Sequence, residues 1–119
     1  MDIIEPIFIS QVLNGSVSNF PSVINLRNQP YKVIVRATEY YGSGADNTIY
    51  ILKSDLVNNK TLGYFRETRG NIGGYMNITH QYSGPYLSNT YNFTITDITN
   101  TLQTPTGNLL IILEFYSKV

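Results

Sequence analysis

Apolar and polar residues alternate along most of this chain, in short runs separated by turn residues. Tyr31–Tyr41 is the clearest run. Tyr31, Val33, Val35, Ala37 and Glu39 fall on one side, and Lys32, Ile34, Arg36, Thr38 and Tyr40 on the other. A period of two marks a strand with one face buried. Thr48–Lys53 repeats it, with Ile49 and Ile51 opposing Tyr50 and Leu52, and so do Tyr75–Tyr82 and Tyr91–Ile98. Leu62–Thr68 reads as a further strand and Val17–Leu26 as a short, irregular one. Asn14-Gly15, Asn28–Pro30, Gly42–Asn47, Gly70–Gly74 and Ser83–Pro85 supply the turns. Ser54-Asp55 can stop the strand before it, and Leu56–Lys60 has room for one helical turn.

Two segments depart from alternation. Leu109–Leu113 is an unbroken aliphatic run followed by Glu114, Phe115 and Tyr116, which indicates a strand covered on both faces or nearly so. Ile3–Ile9 is its counterpart near the start, where Pro6 favours a strand start, an edge or a bulge. Their shared character predicts that the first and last strands meet as central strands of one sheet, with the rest of the chain wrapped between them. The pattern amounts to about eight strands and no amphipathic helix, which predicts an all-β fold, an antiparallel eight-stranded β-sandwich. The order suits a single jelly roll over residues 1–119 better than an immunoglobulin sandwich. The Cys…Trp…Cys signature of the latter is absent from a chain with neither Cys nor Trp.

Composition narrows the function. The chain has 119 residues, the size of one domain, and only 13% of them are charged, well below the usual share. Eight Lys and Arg balance eight Asp and Glu. That argues against a nucleic-acid binder, which carries excess positive charge for phosphates, and leaves little repulsion to keep copies apart. Without Cys there are no disulfides and no thiolate sites. The N-terminal residues have no basic region or cleavage site of the signal-peptide kind, and no apolar stretch is long enough for a membrane-spanning helix. The expectation is a soluble domain made in the cytosol.

No catalytic constellation stands out. His80 is the single histidine, within a strand, and no Gly-x-Ser-x-Gly elbow accompanies it. The carboxylates Asp2, Glu5, Glu39, Asp46, Asp55, Glu67, Asp97 and Glu114 are scattered, and Asp46-Asn47 is only a fragment of a calcium loop. Gly70–Gly74 lacks the Gly-Lys-Ser/Thr ending of a phosphate loop and reads as a turn between strands. Asn14, Asn59, Asn77 and Asn92 open Asn-x-Ser/Thr triplets, read as incidental in a chain rich in Asn and Thr. The expectation is no enzyme activity, no cofactor and no metal.

Ten tyrosines are the unusual feature. Tyrosine couples a flat apolar ring to a hydroxyl, which suits protein interfaces and sugar platforms alike. Tyr40, Tyr41, Tyr64, Tyr75, Tyr82 and Tyr86, near strand ends and loops, are the candidate interface residues. Replacing Tyr40 and Tyr41 with Ser is expected to weaken association and leave the fold intact.

The end of the chain carries a resemblance. Asn92–Ile98 (NFTITDI), a loop with Pro and Gly, then Leu109–Phe115 (LLIILEF) resemble the closing strands of small jelly-roll minor capsid and cement proteins of double-stranded DNA viruses, such as virophages and polinton-like viruses. The similarity is one of pattern over most of the chain and transfers no binding residue. It implies a structural component of the virion, made in the host cytoplasm, that stabilises contacts between larger capsid subunits. Its partners would be capsid proteins or further copies of itself, a trimer included, with no nucleic acid and no membrane. Two alternatives fit the same residues: a lectin-like carbohydrate-binding module, and a trimeric jelly roll of the tumour-necrosis-factor or C1q kind.

Overall fold

The computed structural model describes residues 1–42, 48–66, 75–81 and 89–119. The strands are β1 (Asp2–Asn14), β2 (Asn19–Val23), β3 (Lys32–Gly42), β4 (Ile49–Ser54), β5 (Lys60–Arg66), β6 (Tyr75–Gln81), β7 (Thr90–Thr96) and β8 (Thr106–Lys118). They form two four-stranded sheets, ordered β1-β8-β3-β6 and β2-β7-β4-β5, with every pairing antiparallel. The pairing is nested: β1 with β8, β2 with β7, β3 with β6 and β4 with β5. The expected β-sandwich is therefore present.

Between the sheets lies the apolar core. β8 contributes Leu109, Ile111, Leu113 and Phe115, and β3 contributes Val33, Val35 and Tyr40. From the other sheet come Leu52, Leu62, Phe65, Phe93 and Ile95. Phe20 and Phe93, directly opposed on β2 and β7, stack with centroids 5.3 Å apart. Burying one such ring is worth roughly 1.5–3 kcal/mol, so the stretches with strict alternation are those the core holds most firmly.

The two terminal segments do pair, over the whole of β1 from Asp2↔Lys118 to Asn14↔Thr106. Only β8 is central, however. β1 is an edge strand, which corrects the expectation that both would be interior. Its outward residues Ile4, Phe8 and Val12 are exposed, so the apolar character that suggested two covered faces belongs partly to surface. The N–H of Gly15 donates to the Pro105 carbonyl at 3.1 Å and continues the same register. Odd-numbered backbone groups of β1 thus face β8 and even-numbered ones face away. Pro6, which has no N–H, falls on the outward side, where its missing donor leaves the ladder intact.

A second correction lies in β3. The register shifts between Val35 and Ala37, so one extra residue sits opposite β8. Beyond the bulge the alternation inverts: Thr38 and Tyr40 turn into the sandwich with Val33 and Val35, while Glu39 and Tyr41 turn out.

Shorter elements follow local chemistry. The Ser54 hydroxyl accepts from the Leu56 N–H and caps a 3-10 turn, Asp55–Val57, which Asn58 ends in the left-handed region at φ 57°. Glu5, on the inner side of β1, accepts from the backbone N–H groups of Arg27 and Asn28 at 2.9 and 3.1 Å. That pins the β2–β3 connection to the edge of the sheet.

Candidate interaction surface

β8 lies between β1 and β3, so its register sets the rows of side chains on the outer face of that sheet. From one end these rows are Val12, Asn108 and Tyr41; Ser10, Leu110 and Glu39; and Phe8, Ile112 and Ala37. Next come Pro6, Glu114 and Ile34, then Ile4, Tyr116 and Lys32. Phe8 is 66% exposed, Val12 71% and Tyr41 57%. Leu110, Ile112 and Ile34 are half-buried beside them. An outer face that carries at least one apolar or aromatic side chain in each of these rows, among Asn108, Ser10, Glu39, Glu114 and Lys32, departs from the usual antiparallel pattern of polar outward positions. Contiguous exposed apolar surface of this kind marks a place where something else docks.

One end of the face is closed by a belt of aromatic rings and charges. The Lys32 ammonium lies 4.6 Å from the centroid of the Tyr116 ring, and the Lys118 ammonium 4.7 Å from that of Tyr31. The Tyr31 hydroxyl donates to Asp2 at 2.8 Å, and Lys118 pairs with the same carboxylate at 3.3 Å. Arg36 pairs with Glu114 at 2.6 Å and donates to the Tyr116 hydroxyl at 3.2 Å. The Tyr31 hydrogen bond, helped by Lys118, holds the Asp2 carboxyl below its ordinary range. Glu114 and Tyr116 raise Arg36, and Asp2 raises Lys118. These groups are partly exposed, Lys118 most of all, and solvent screening leaves them to orient side chains more than to stabilise the fold.

The candidate tyrosines do not share one place. Tyr41 lies on the outer face just described, and Tyr64, 45% exposed, lies on β5 in the other sheet. Tyr40 is fully buried: its ring packs against Tyr50 and Phe65, and its hydroxyl donates to the Thr106 carbonyl at 2.7 Å. It is a core residue of this chain, because the bulge in β3 turned it inward. Tyr75 opens β6, opposite Ala37. Tyr82 and Tyr86 lie outside the described residues, as do the Gly70–Gly74 turn, Asp46 and Glu67. His80 sits in β6, opposite Val33.

Several carboxylates do structural work. Asp55 accepts from the Asn92 N–H at 2.9 Å and ties the 3-10 turn to β7. Asp97 accepts from the Thr99 and Thr101 N–H groups, the Thr99 hydroxyl and the Gln103 amide. The Thr99 hydroxyl foremost, and then these other donors, keep Asp97 below its ordinary range. Among the described residues no three His, Cys, Asp or Glu side chains gather as metal ligands, and no helix is long and apolar enough to cross a membrane.

The residues that carry the surface are Ile4, Phe8 and Val12, and their spacing was visible in the sequence. An apolar residue at every fourth position on one side of a strand that already buries Ile9 and Leu13 from the other leaves the first set needing a cover.

No family model matches the sequence, and no curated protein is similar to it. Among solved structures, the chain is similar to the Drosophila NLP core, a protein described for pentamer formation and histone binding, with a TM-score of 0.49 and 8% identity over 97% of this chain and all (100%) of that one. It is also similar to a chain of the Bacillus endospore appendages, which are disulfide-linked pili, with a TM-score of 0.43 and 9% identity over 98% and 89%. A third likeness is to a chain of the tripod from the baseplate of bacteriophage Tuc2009, with a TM-score of 0.39 and 17% identity over 92% and 62%. At these identities and scores the likenesses decide neither family nor function.

Proposed function

We propose that this chain is a single jelly roll that serves as a structural component of a larger particle, a minor capsid or cement protein whose outer β1-β8-β3 face docks on neighbouring subunits. The nested strand order supports the jelly-roll reading, since it is the order a long antiparallel hairpin takes when it wraps around a sandwich. The observation that carries the role is the exposed apolar set Ile4, Phe8 and Val12 beside Tyr41, on a chain with few charges. Interface cores are depleted in charge and enriched in aromatics, and the same side chains in water would favour association. The belt around Lys32, Tyr116 and Arg36 would form the polar rim of such a contact.

Mass spectrometry of particles purified from the source tests the role. The expected result is this chain present at a fixed ratio to the major subunit, and a Phe8→Lys chain that folds but is not incorporated. Particles lacking the chain altogether would overturn the proposal.

A further inference from the structure

The exposed edge of β1 has a property that its outer face alone does not explain: its sequence reads nearly the same in both directions about Phe8. Ile7 matches Ile9, Ile4 matches Val12, and Ile3 matches Leu13. The polar positions match as well, Glu5 with Gln11 and Asp2 with Asn14, each a carboxylate against its own amide. Pro6 and Ser10 complete the set. A two-fold axis sets residue i opposite residue j and j opposite i, so with this near-symmetry each aliphatic residue of β1 faces another and each acidic residue faces its amide.

We infer that β1 is the contact element of a two-fold homodimer, in which it pairs antiparallel with the β1 of a second copy about an axis at Phe8. The two four-stranded sheets then become one continuous sheet. This deepens the reading above by naming a second copy of the chain as a partner, and rests on β1 being an association element. The backbone permits it. The even-numbered N–H and C=O groups of β1 point away from β8, with no strand beside them among the described residues. Phe8 would therefore exchange both of its hydrogen bonds with Phe8 of the second copy. Pro6 withholds one donor, opposite Ser10, and the Val12 carbonyl, which accepts from the exposed Gln11 amide at 3.1 Å, must exchange that bond for one to the second copy.

The side chains select this register. With the axis at Phe8, every aliphatic and aromatic residue of β1 meets another, Pro6 meets Ser10, and no carboxylate meets a carboxylate. Moving the axis to Pro6 or Ile7 sets Glu5 opposite an isoleucine, and moving it to Ile9 or Ser10 does the same to Gln11. On the outer face, Ile4 and Val12 of one copy flank Phe8 together with Val12 and Ile4 of the other. That shields the flanks of these side chains and leaves the face itself open, since opposed aromatic and β-branched side chains on paired strands stabilise one another. On the inner face, Ile3 and Ile7, partly buried at the open edge of the sandwich, gain neighbours. Closure on a two-fold axis also uses up the edge, so pairing through β1 stops at two copies.

The chain lacks cysteine, which makes the register directly testable. Directly opposed residues in a hydrogen-bonded pair have Cα atoms about 5.5 Å apart, within disulfide range. Phe8→Cys should form a covalent dimer under mild oxidation. So should the double variant Ile4→Cys, Val12→Cys, which keeps Phe8 and whose two cysteines lie about 26 Å apart within one chain. Ser10→Cys should not, because its copies would sit about 13 Å apart along the strands. If neither of the first two cross-links while the wild-type chain has the mass of a dimer, association uses another surface; the β1 pairing is overturned and the structural role stands. A wild-type chain that stays monomeric overturns the pairing too, and particle content then decides the structural role separately. Cross-linking of Ser10→Cys as fast as Phe8→Cys would contradict the register.

Discussion

The Tyr40 hydroxyl donates to the carbonyl of Thr106 at 2.7 Å, joining the end of β3 to the start of β8 inside the sandwich. Two glycines make room for the ring: a Cβ at Gly42 would lie 2.3 Å from Tyr40 atoms, and one at Gly107 2.9 Å. Tyr40→Phe should therefore keep the fold and lose about 1–2 kcal/mol, the cost of leaving a buried carbonyl short of a donor. Chemical denaturation with an unchanged m-value would show it. Tyr40→Ser should cost about 3–5 kcal/mol, as removal of a core aromatic does. The double Ser variant of Tyr40 and Tyr41 would thus report on folding as well as association, and Tyr41→Ser alone is the clean probe of the surface.

Gly63 sets the spacing between the sheets at β3 and β5. A Cβ there would approach Thr38 Cγ2 to 2.4 Å, and the Thr38 hydroxyl is committed to the Tyr64 carbonyl at 2.8 Å. Turning the threonine aside would break that hydrogen bond. Gly63→Ala should destabilise by about 1–3 kcal/mol, the usual range for overpacking, and adding Thr38→Ser should recover part of it. Equal stability of Gly63→Ala and wild type in thermal unfolding would contradict the close contact.

Acid should loosen the chain through Glu5. Burial alone would raise the Glu5 carboxyl, but the N–H groups of Arg27 and Asn28 and the Asn28 amide together hold it below its ordinary range. A carboxyl lowered in the folded state stabilises above its unfolded value, and that contribution fades as pH falls through the folded one. The melting temperature should thus be level around neutrality and drop below about pH 4. Glu5→Gln should cost about 1 kcal/mol at pH 7 and flatten part of that drop. A melting curve for Glu5→Gln that matches wild type at every pH would show that the 27–28 connection is held by other contacts.

Tyr41→Ser and Phe8→Lys change exposed side chains, so each should alter stability by less than about 0.5 kcal/mol, as surface substitutions generally do. Phe8→Lys should weaken self-association, because it puts two ammonium groups face to face across the two-fold axis. Tyr41→Ser, on β3 with β8 between it and β1, should leave the two-fold pair intact and weaken docking of the outer face on neighbouring subunits. Unfolding midpoints measured beside sedimentation would separate the two properties.

Much of this fold was legible because β4, β7 and the inner face of β8 obey a period of two, which the core enforces. Tyr40 was misread because a bulge at Arg36 inverts the alternation without any change in residue type; Val33, Val35 and Ala37 look like one uninterrupted face. β1 was misread for a different reason. A strand apolar on both sides is expected to be covered on both, and nothing in one copy of the sequence distinguishes cover by the same chain from cover by another. The surface carried by Ile4, Phe8 and Val12 became visible only once β1 was seen at the edge. Tyrosine count pointed toward association, but of the candidate tyrosines with described side chains Tyr41 lies on that face, while Tyr40 is buried and Tyr64 lies on the other sheet.

The most direct test of the account is solution mass by light scattering over a wide concentration range, for wild type and Phe8→Lys together. Two copies for the wild-type chain at concentrations where Phe8→Lys is a folded single chain is the predicted result. A single-chain mass for both at the highest concentration, or a larger mass that Phe8→Lys leaves unchanged, would contradict it.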